Sequence, residues 1–513
     1  MLAKVYSSAT LGVNAYTVEV EADIQQQSPL FITVGLPEGA VRESKERVAA
    51  AIKNSDLLFP PKKITINLAP ADIRKEGSAF DLPIAVGILA ATGQILRDNF
   101  DDFVMIGELS LDGGIRAVPG VLPMAMHLQK TNGIKGIIVP KENASEAAMA
   151  EDLDVYPVSN LKEAVHFLED NSAIKPFELD INSVLSMARK YDVDFCDVKG
   201  QESAKRALEI AAAGGHNIIM IGPPGSGKTM LARRLPTILP DMTLAEALET
   251  TKIHSVAGLL PGNTALIATR PFRSPHHTVS DAGLIGGGKI PKPGEVSLAH
   301  HGVLFLDEIA EFHKDVLEVL RQPMEDGQVT ISRASMSLTY PAAFMLAAAM
   351  NPCPCGYYGD TSHECNCTSG SIQRYMSRIS GPLLDRIDIH ITVPAVKFKE
   401  LSSESSGEKS EVIRARVNAA RKIQLERFKG EEKIFCNAHM QSKDIRNYCP
   451  IDEKSKALLN LAITRQGLSA RAYDRILKVA RTIADLENAS AIDVVHIAES
   501  IHYRTLDRSL WLY

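Results

Sequence analysis

Three groups of residues in this 513-residue chain have the types and spacing to do chemistry. The first is Gly222-Pro223-Pro224-Gly225-Ser226-Gly227-Lys228-Thr229, set between the apolar run Ile218–Ile221 and the helix-like pattern Met230–Leu235. Glycines at this spacing let consecutive backbone N–H groups turn toward phosphate oxygens, and the helix that follows adds its positive end. In that Walker A arrangement Lys228 would reach the β- and γ-phosphates of a nucleotide, and Thr229 would hold Mg²⁺ through its hydroxyl. A chance glycine-rich turn is the plain alternative, and the strand before and helix after argue against it. The second group lies about 80 residues further on, where Val303–Leu306 ends in Asp307-Glu308. Asp307 would hold the metal through water and Glu308 would orient an attacking water. A third apolar run, Met345–Met350, ends in Asn351, which is placed to orient the same water; an ordinary strand-end asparagine before Pro352 is the other reading. The last group is Cys353-Pro354-Cys355-Gly356 with Cys365-Asn366-Cys367. Four thiols make a tetrahedral Zn²⁺ site that closes a loop, with His363 as a substitute ligand. The C-x-C spacing is irregular against the usual C-x₂-C, so reduced thiols or a redox pair stay open.

These residues need a framework. The length points to three or so domains, and the composition is that of an ordinary globular protein. Net charge is −6, so a nucleic-acid partner would have to be met by local basic loops rather than by a basic surface. The apolar runs at 84–91 and 344–350 are too short to span a bilayer, and the start of the chain lacks a basic-then-apolar signal. The expectation is a cytoplasmic protein without a membrane partner. Seven cysteines, an odd number, do not suggest a disulfide framework.

Residues 1–170 read as one α+β domain. Tyr16–Glu21, Phe31–Val34 and Lys63–Leu68 are strands, Glu38–Asn54 has helical spacing, and the length of Asp81–Ala91 favours a buried helix. Ser110–Ile115 has hairpin chemistry, Gly136–Pro140 and Asp154–Val158 are short strands, and Ser159 or Asn160 caps a helix. Residues 171–195 read as a linker, and 196–396 as the nucleotide-binding core with its cysteine-rich insertion. Residues 397–411, rich in Ser, Glu and Lys, read as a flexible linker. From 412 to 513 the chain is helical. Val412–Phe428 is basic through Arg414, Arg416, Arg421, Lys422 and Arg427, as either a solvated face or a contact surface. Ser469 is the expected N-cap of a helix running through Ala484, and Trp511 lies in a tail expected to dock or fray.

The first region resembles the Lon-protease-type domain, a ribosomal-S5-like fold, through Arg74–Pro83 and Gly107–Gly113. The proteases' nucleophilic serine falls on Ala79, and the lysine that should activate it falls near Leu122. Without both there is no nucleophile–base pair, so a non-proteolytic domain is implied, with a residual hydrolase on Ser78 as the minor alternative. Further along, Pro275-His276-His277-Thr278, Pro293–His300, Asn351–Gly356 and Ser380–Asp388 resemble the YifB/ComM family of magnesium-chelatase-like AAA+ ATPases, a resemblance that runs over essentially the full length. It implies an α/β AAA+ core with a parallel sheet and an α-helical lid, behind the Lon-like domain.

The same resemblance implies roles for particular residues. Arg386 would be an arginine finger acting in the neighbouring subunit, with Arg378 its competitor. Arg471 would be sensor 2, closing the lid over the γ-phosphate. The stretch Asp194–Gln201 would line the adenine pocket. Gly283–Lys289 and Val329–Ala334 resemble loops that touch a polymer, so Lys289 and Arg333 are the candidate phosphate contacts, against the plain reading of surface turns. For the pairs His276-His277 and His300-His301, interface or loop hydrogen bonding is favoured over a metal site. Function follows as an expectation: Mg²⁺-dependent ATP hydrolysis in a homo-oligomeric ring, a hexamer by resemblance, acting on single-stranded or branched DNA. The implied task is helicase-driven branch migration of recombination intermediates during natural transformation. A chelatase-like ATPase that remodels a protein client is the alternative.

Overall fold

The computed structural model describes residues 1–96, 100–181, 184–185, 191–262, 264–288, 291–333, 336–360, 363–396, 407–431, 434–466 and 469–504. Lys289, Ala334, Trp511 and most of the 397–411 linker lie outside them. The chain divides into two compact units, 1–189 with 244–268, and 190–243 with 269–513.

The first unit is built on a mixed sheet. Its strands are β1 (Leu2–Leu11), β2 (Asn14–Gln25), β3 (Leu30–Val34), β4 (Lys63–Ala69), β5 (Phe103–Met105), and, past the short hairpin of β6 (Glu108–Leu109) with β7 (Ile115–Arg116), β8 (Gly136–Pro140) and β9 (Asp154–Val158). The sheet order is β3-β4-β2-β1-β5-β8-β9. Alternation in β2 and β4 puts Val18, Val20, Ala22, Ile64, Ile66 and Leu68 inward. Against them lie α1 (Gly39–Asn54), which buries Val41, Val48, Ala51 and Ile52, and α2 (Asp81–Ala91), buried at every residue. That all-round burial is why Asp81–Ala91 carries no helical periodicity, and its length decided for helix. Next come α3 (Val121–Leu128) and α4 (Leu161–Glu169), the latter capped by Asn160 accepting from the Glu163 N–H.

A helix from the middle of the chain, Leu244–Val256, belongs to this unit. In the sequence it lies inside the stretch 196–396 expected to form the nucleotide-binding core. Its anchor is buried: the Ser255 hydroxyl donates to Glu146, which also accepts from the Leu122 N–H at 2.9 Å, and the Gly120 N–H donates to Ser255 O at 3.1 Å.

The second unit opens with α5 (Glu202–Gly214), closed at Gly215, and then β10 (Ile218–Ile221) and α6 (Lys228–Ile238). The sheet adds β11 (Phe272–Arg273). After the two-residue strands β12 (Gly286–Gly287) and β13 (Lys292–Pro293) come β14 (Val303–Leu306), a hairpin of β15 (Gln328–Arg333) with β16 (Met336–Pro341), β17 (Met345–Met350) and β18 (Ile389–Thr392). The order β11-β14-β17-β10-β18 is parallel throughout. Such strands are buried on both faces, which is why β10, β14 and β17 read as unbroken apolar runs.

Helices α7 (Ser410–Arg427), α8 (Glu453–Gln466), α9 (Ala470–Leu486) and α10 (Val494–His502) complete the unit. Ser469 caps α9, accepting from the Ala472 N–H at 3.2 Å. The basic side of α7 is turned onto its own chain: Arg416 pairs with Glu209 and Glu408, Arg421 donates to Ala213 O, and Arg427 pairs with Asp485. Behind α9 lies a buried polar knot. His216 bridges Asp388 (Nδ1, 3.0 Å) and Thr482 (Nε2, 2.8 Å), Arg475 reaches Asp388 at 2.8 Å, and Asn437 joins Thr482 to Asp485.

Candidate functional site

In an open parallel sheet the loops at the carboxyl ends of the strands share one edge. Here β10, β14 and β17 are neighbours, so their ends bring Gly222–Thr229, Asp307-Glu308 and Asn351 together. The phosphate-loop sequence forms a tight turn with Gly225 and Gly227 in the left-handed region, φ 74° and 86°, and α6 begins at Lys228. A side chain at either position would be strained, and the turn needs both for its N–H groups to face inward.

Lys228 is buried at the centre. Its Nζ donates to Gly222 O at 2.7 Å and Pro223 O at 2.9 Å, and lies 3.3 Å from both Ser226 Oγ and Asn351 Oδ1. Burial lowers its pKa below that of an ordinary lysine, opposed by the charges of Asp307 and Glu308. Thr229 Oγ1 donates to Asp307 Oδ2 at 2.7 Å, so two oxygens suited to a hard cation sit side by side at the end of β14. Glu308 is exposed, with its backbone in the left-handed region at φ 50°, a conformation rare outside glycine and asparagine and frequent at functional sites. Its N–H donates to Asp307 Oδ1 at 3.0 Å.

The arginines stand differently. Arg386 is buried and paired with Glu325 of its own chain, and its Nη1 donates to Pro382 O at 2.6 Å. A cavity of 420 Å³ opens beside it, lined also by Glu318, Arg321, Asp326 and Thr330. Arg378 is exposed and donates to Ala310 O and to Glu311 at 2.7 Å. Arg471, in the first turn of α9, is exposed and pairs with Asp385 at 3.6 Å. None of the three is within hydrogen-bonding distance of Lys228, Asp307, Glu308 or Asn351.

The four cysteines converge. Cys353 Sγ lies 3.3 Å from Cys355 Sγ and 3.7 Å from Cys365 Sγ, Cys355 lies 3.6 Å from Cys365, and Cys367 completes a set whose sulfurs all fall within 4.8 Å of one another. Four thiolates at about 2.3 Å from one tetrahedral Zn²⁺ would be separated by about 3.8 Å, so the donor set fits that ion. His363 is not one of the set; it is exposed, with its ring stacked on Tyr357. The histidine pairs meet ring to ring: His276 bonds Thr278 Oγ1 at 2.9 Å, and His300 Nδ1 accepts from the Ala343 N–H at 3.0 Å.

Of the two polymer-contact candidates, Lys289 lies outside the described residues. Arg333 is exposed at the end of β15 and donates to Gly288 O at 3.3 Å, which joins the β15–β16 hairpin to the β12–β13 loop. Hydroxyl pairs Thr330–Thr339 and Ser332–Ser337 rung this hairpin at 2.9 Å each.

In the first unit, Ala79 and Leu122 are buried core residues. The Ser78 hydroxyl donates to Glu108, and Lys75 is buried with its Nζ on Ile73 O at 2.8 Å.

Gln201 closes the stretch Asp194–Gln201 expected to line an adenine pocket, and it makes a contact that expectation did not include. Its Nε2 bridges Ser226 O at 2.6 Å and Pro394 O at 3.1 Å, tying the phosphate loop to the chain beyond β18. The local sign in the sequence was a polar residue directly after Gly200; in the fold both take positive φ, 63° at Gly200 and 58° at Gln201. The pairing of Arg386 with Glu325 was also unforeseen, since 61 residues separate the partners.

Comparison with known proteins gives three family matches: magnesium chelatase, subunit ChlI, at residues 194–401; subunit ChlI of Mg-chelatase at 20–143; and the C-terminal part of that subunit at 407–504. The chain is 45% identical over 513 residues to the competence protein ComM of Haemophilus influenzae, covering 99% of this chain and 98% of the relative. It is 44% identical over 511 residues to YifB of Escherichia coli, with the same coverage. Over 157 residues, 28% of this chain and 27% of the relative, it is 34% identical to Lon protease 2 of Bacillus subtilis. With relatives this similar along almost the whole of both chains, the chain belongs to the YifB/ComM family of magnesium-chelatase-like AAA+ proteins.

Proposed function

We propose that the protein is a Mg²⁺-dependent ATPase that works as a homo-oligomeric ring, most consistently a hexamer, and moves DNA. The observation that carries the first part is the meeting of Lys228, the Thr229–Asp307 pair and Asn351 at one sheet edge. Mg²⁺, held by Thr229 and Asp307, would neutralise charge on the β- and γ-phosphates. Gly222–Gly227 present backbone N–H groups to those phosphates. Lys228 exchanges its bonds to Gly222 O and Pro223 O for phosphate oxygens. Glu308 accepts from the attacking water and Asn351 fixes its direction. In the same chain Arg471 closes over the γ-phosphate, and from the next subunit Arg386 supplies the finger, which requires it to leave Glu325. Arg378 competes for that task because it is exposed. A Zn²⁺ on Cys353, Cys355, Cys365 and Cys367 would be structural.

The DNA part rests on the likeness to a competence protein and on the joined β12–β13 and β15–β16 loops with Arg333 at their tip. Branch migration of recombination intermediates during natural transformation, in the cytoplasm, is the task these support. Among the described residues no helix is long and apolar enough to cross a membrane. The ChlI match over 194–401 favours a second reading, in which the ring remodels a protein client. ATPase rates with and without single-stranded and branched DNA separate the two. Stimulation by DNA at low salt, lost in Arg333→Ala, supports the motor. No stimulation and no DNA binding contradict it. In mixed rings, Arg386→Ala subunits should fail to support a neighbour's hydrolysis, a loss of about 10³-fold or more; if they support it, Arg386 is not the finger.

A further inference from the structure

The cysteine knot is seated on the nucleotide site at two points. One is covalent: Asn351, whose amide meets Lys228 at 3.3 Å, is two residues from Cys353, the fully buried thiol of the four. The other is a contact. Gly356, at φ 88°, turns the chain against the phosphate loop so closely that a methyl group there would stand 2.5 Å from Pro224 Cδ. The described residues from Cys353 to Thr368 form neither helix nor strand, and Pro354, Tyr358, Gly359, His363, Glu364 and Asn366 are exposed. Apolar burial therefore does little to order this segment. Bonds among its described residues include Gly356 N–H to Cys353 O at 3.0 Å, Tyr358 N–H to Cys353 Sγ at 3.3 Å and Asp360 N–H to Tyr357 O at 3.0 Å, all within the first half of the loop. What gathers it is the set of four sulfurs, at separations a tetrahedral ion requires.

We propose that metal occupancy of this knot sets the shape of the nucleotide site, by pressing Gly356 against Pro224 and fixing Asn351 beside Lys228. The proposal rests on the ATPase reading above. A Zn²⁺ bridging Cys353 and Cys355 to Cys365 and Cys367 closes the loop and holds both contacts. With the ion removed, the loop loses its cross-link, the phosphate loop loses its brace at Pro224, and Asn351 loses its anchor. The knot thus acts as a positioning element for nucleotide binding and touches neither phosphate nor water.

The test uses the full chain purified under reducing conditions. Metal content by mass spectrometry and the visible spectrum of the Co²⁺-loaded protein report the site; a four-thiolate tetrahedral spectrum is expected. Binding of a fluorescent ATP analogue without Mg²⁺ is then compared for Zn²⁺-loaded, stripped and reloaded protein. The expected result is affinity at least about tenfold weaker on stripping, restored by Zn²⁺. Gly356→Ala should retain the metal and still bind the analogue more weakly, because its methyl pushes on Pro224. Gly370→Ala, whose methyl meets open space, should change neither. Absence of any thiolate–metal spectrum, or oxidised cysteines in the loaded protein, overturns the zinc site. A bound metal whose removal leaves affinity unchanged overturns the coupling while leaving the site. Loaded protein that binds no nucleotide overturns the ATPase reading itself.

Discussion

Asp81 in the first unit and Asp388 in the second are both buried carboxylates paired with an arginine, yet their environments push them in opposite directions. At Asp81, burial outweighs the Arg47 ion pair at 2.6 Å and the Leu109 N–H, and the nearby Glu108 adds to it; the carboxyl rises to about 6. At Asp388, burial also acts upward, but Arg475, His216 and Lys478 together overcome it, and the carboxyl stays below the usual carboxylate range. One cation with an anion beside it does not offset desolvation; Arg475 and Lys478 together with the His216 hydrogen bond do. The contrast extends to the two units. In the first, polar groups are closed off in pairs: Ser78 on Glu108, Lys75 on Ile73 O, Glu146 on Ser255. In the second, Lys228, Thr229, Asp307 and Asn351 converge on one sheet edge. Under the proposed function the second unit is the seat of chemistry, and the first takes no part in hydrolysis.

The largest effect should separate the units outright. Lys228→Ala should lower ATP hydrolysis by about 10²-fold or more, whereas Ser78→Ala should leave it unchanged. Steady-state phosphate release measures both, and a loss in Ser78→Ala would mean the first unit takes part in the chemistry.

Asp388→Asn should destabilise the second unit by about 3 kcal/mol or more in chemical denaturation, because it strands Arg475 and Lys478 against a buried neutral amide. A change below about 1 kcal/mol would mean that His216 and Arg475 do not depend on that charge.

The pH response should sharpen the contrast in sign. Asp81 has a folded pKa above its unfolded value, so its contribution is complete below about pH 4 and is lost as pH rises to about 6, by up to about 3 kcal/mol. Asp388 has a folded pKa below its unfolded value; its contribution is present above the unfolded pKa and is lost as pH falls through the folded one. Denaturation followed from pH 4 to 6 should show a falling component that vanishes in Asp81→Asn. Persistence of that component would assign it elsewhere. Smallest of all, Ser469→Ala should remove the α9 cap at a cost of about 1 kcal/mol, read as a lower denaturation midpoint.

The legible parts of the molecule were those whose physics is local. A strand, a glycine turn and a helix in succession gave the Gly222–Thr229 loop, and strand ends in acids or amide gave Asp307, Glu308 and Asn351. Turn and cap residues marked Ser110–Ile115, Ser469 and the pair Ser159 and Asn160, of which Asn160 is the cap. What was not legible depends on partners far apart in the chain. The basic residues of α7 are spent on Glu209, Asp485 and backbone carbonyls, a fact set by how α7 packs on α5. Leu244–Val256 buries Thr250, Thr251 and Ser255 beside Ala247 and Ile253, so its pattern gave no sign that it joins the first unit through Glu146. Nor could spacing show that Gly356 leans on Pro224, since only the fold brings the cysteine loop onto the phosphate loop.

On the proposed function, the sheet edge of the second unit hydrolyses ATP with Glu308 directing the water. The most direct measurement pairs nucleotide binding with turnover in Glu308→Gln, an exchange that keeps shape and removes the carboxylate. ATP binding should stay within about threefold of the parent chain, and hydrolysis should fall by about 10²-fold or more. Undiminished hydrolysis in Glu308→Gln would contradict that role of Glu308.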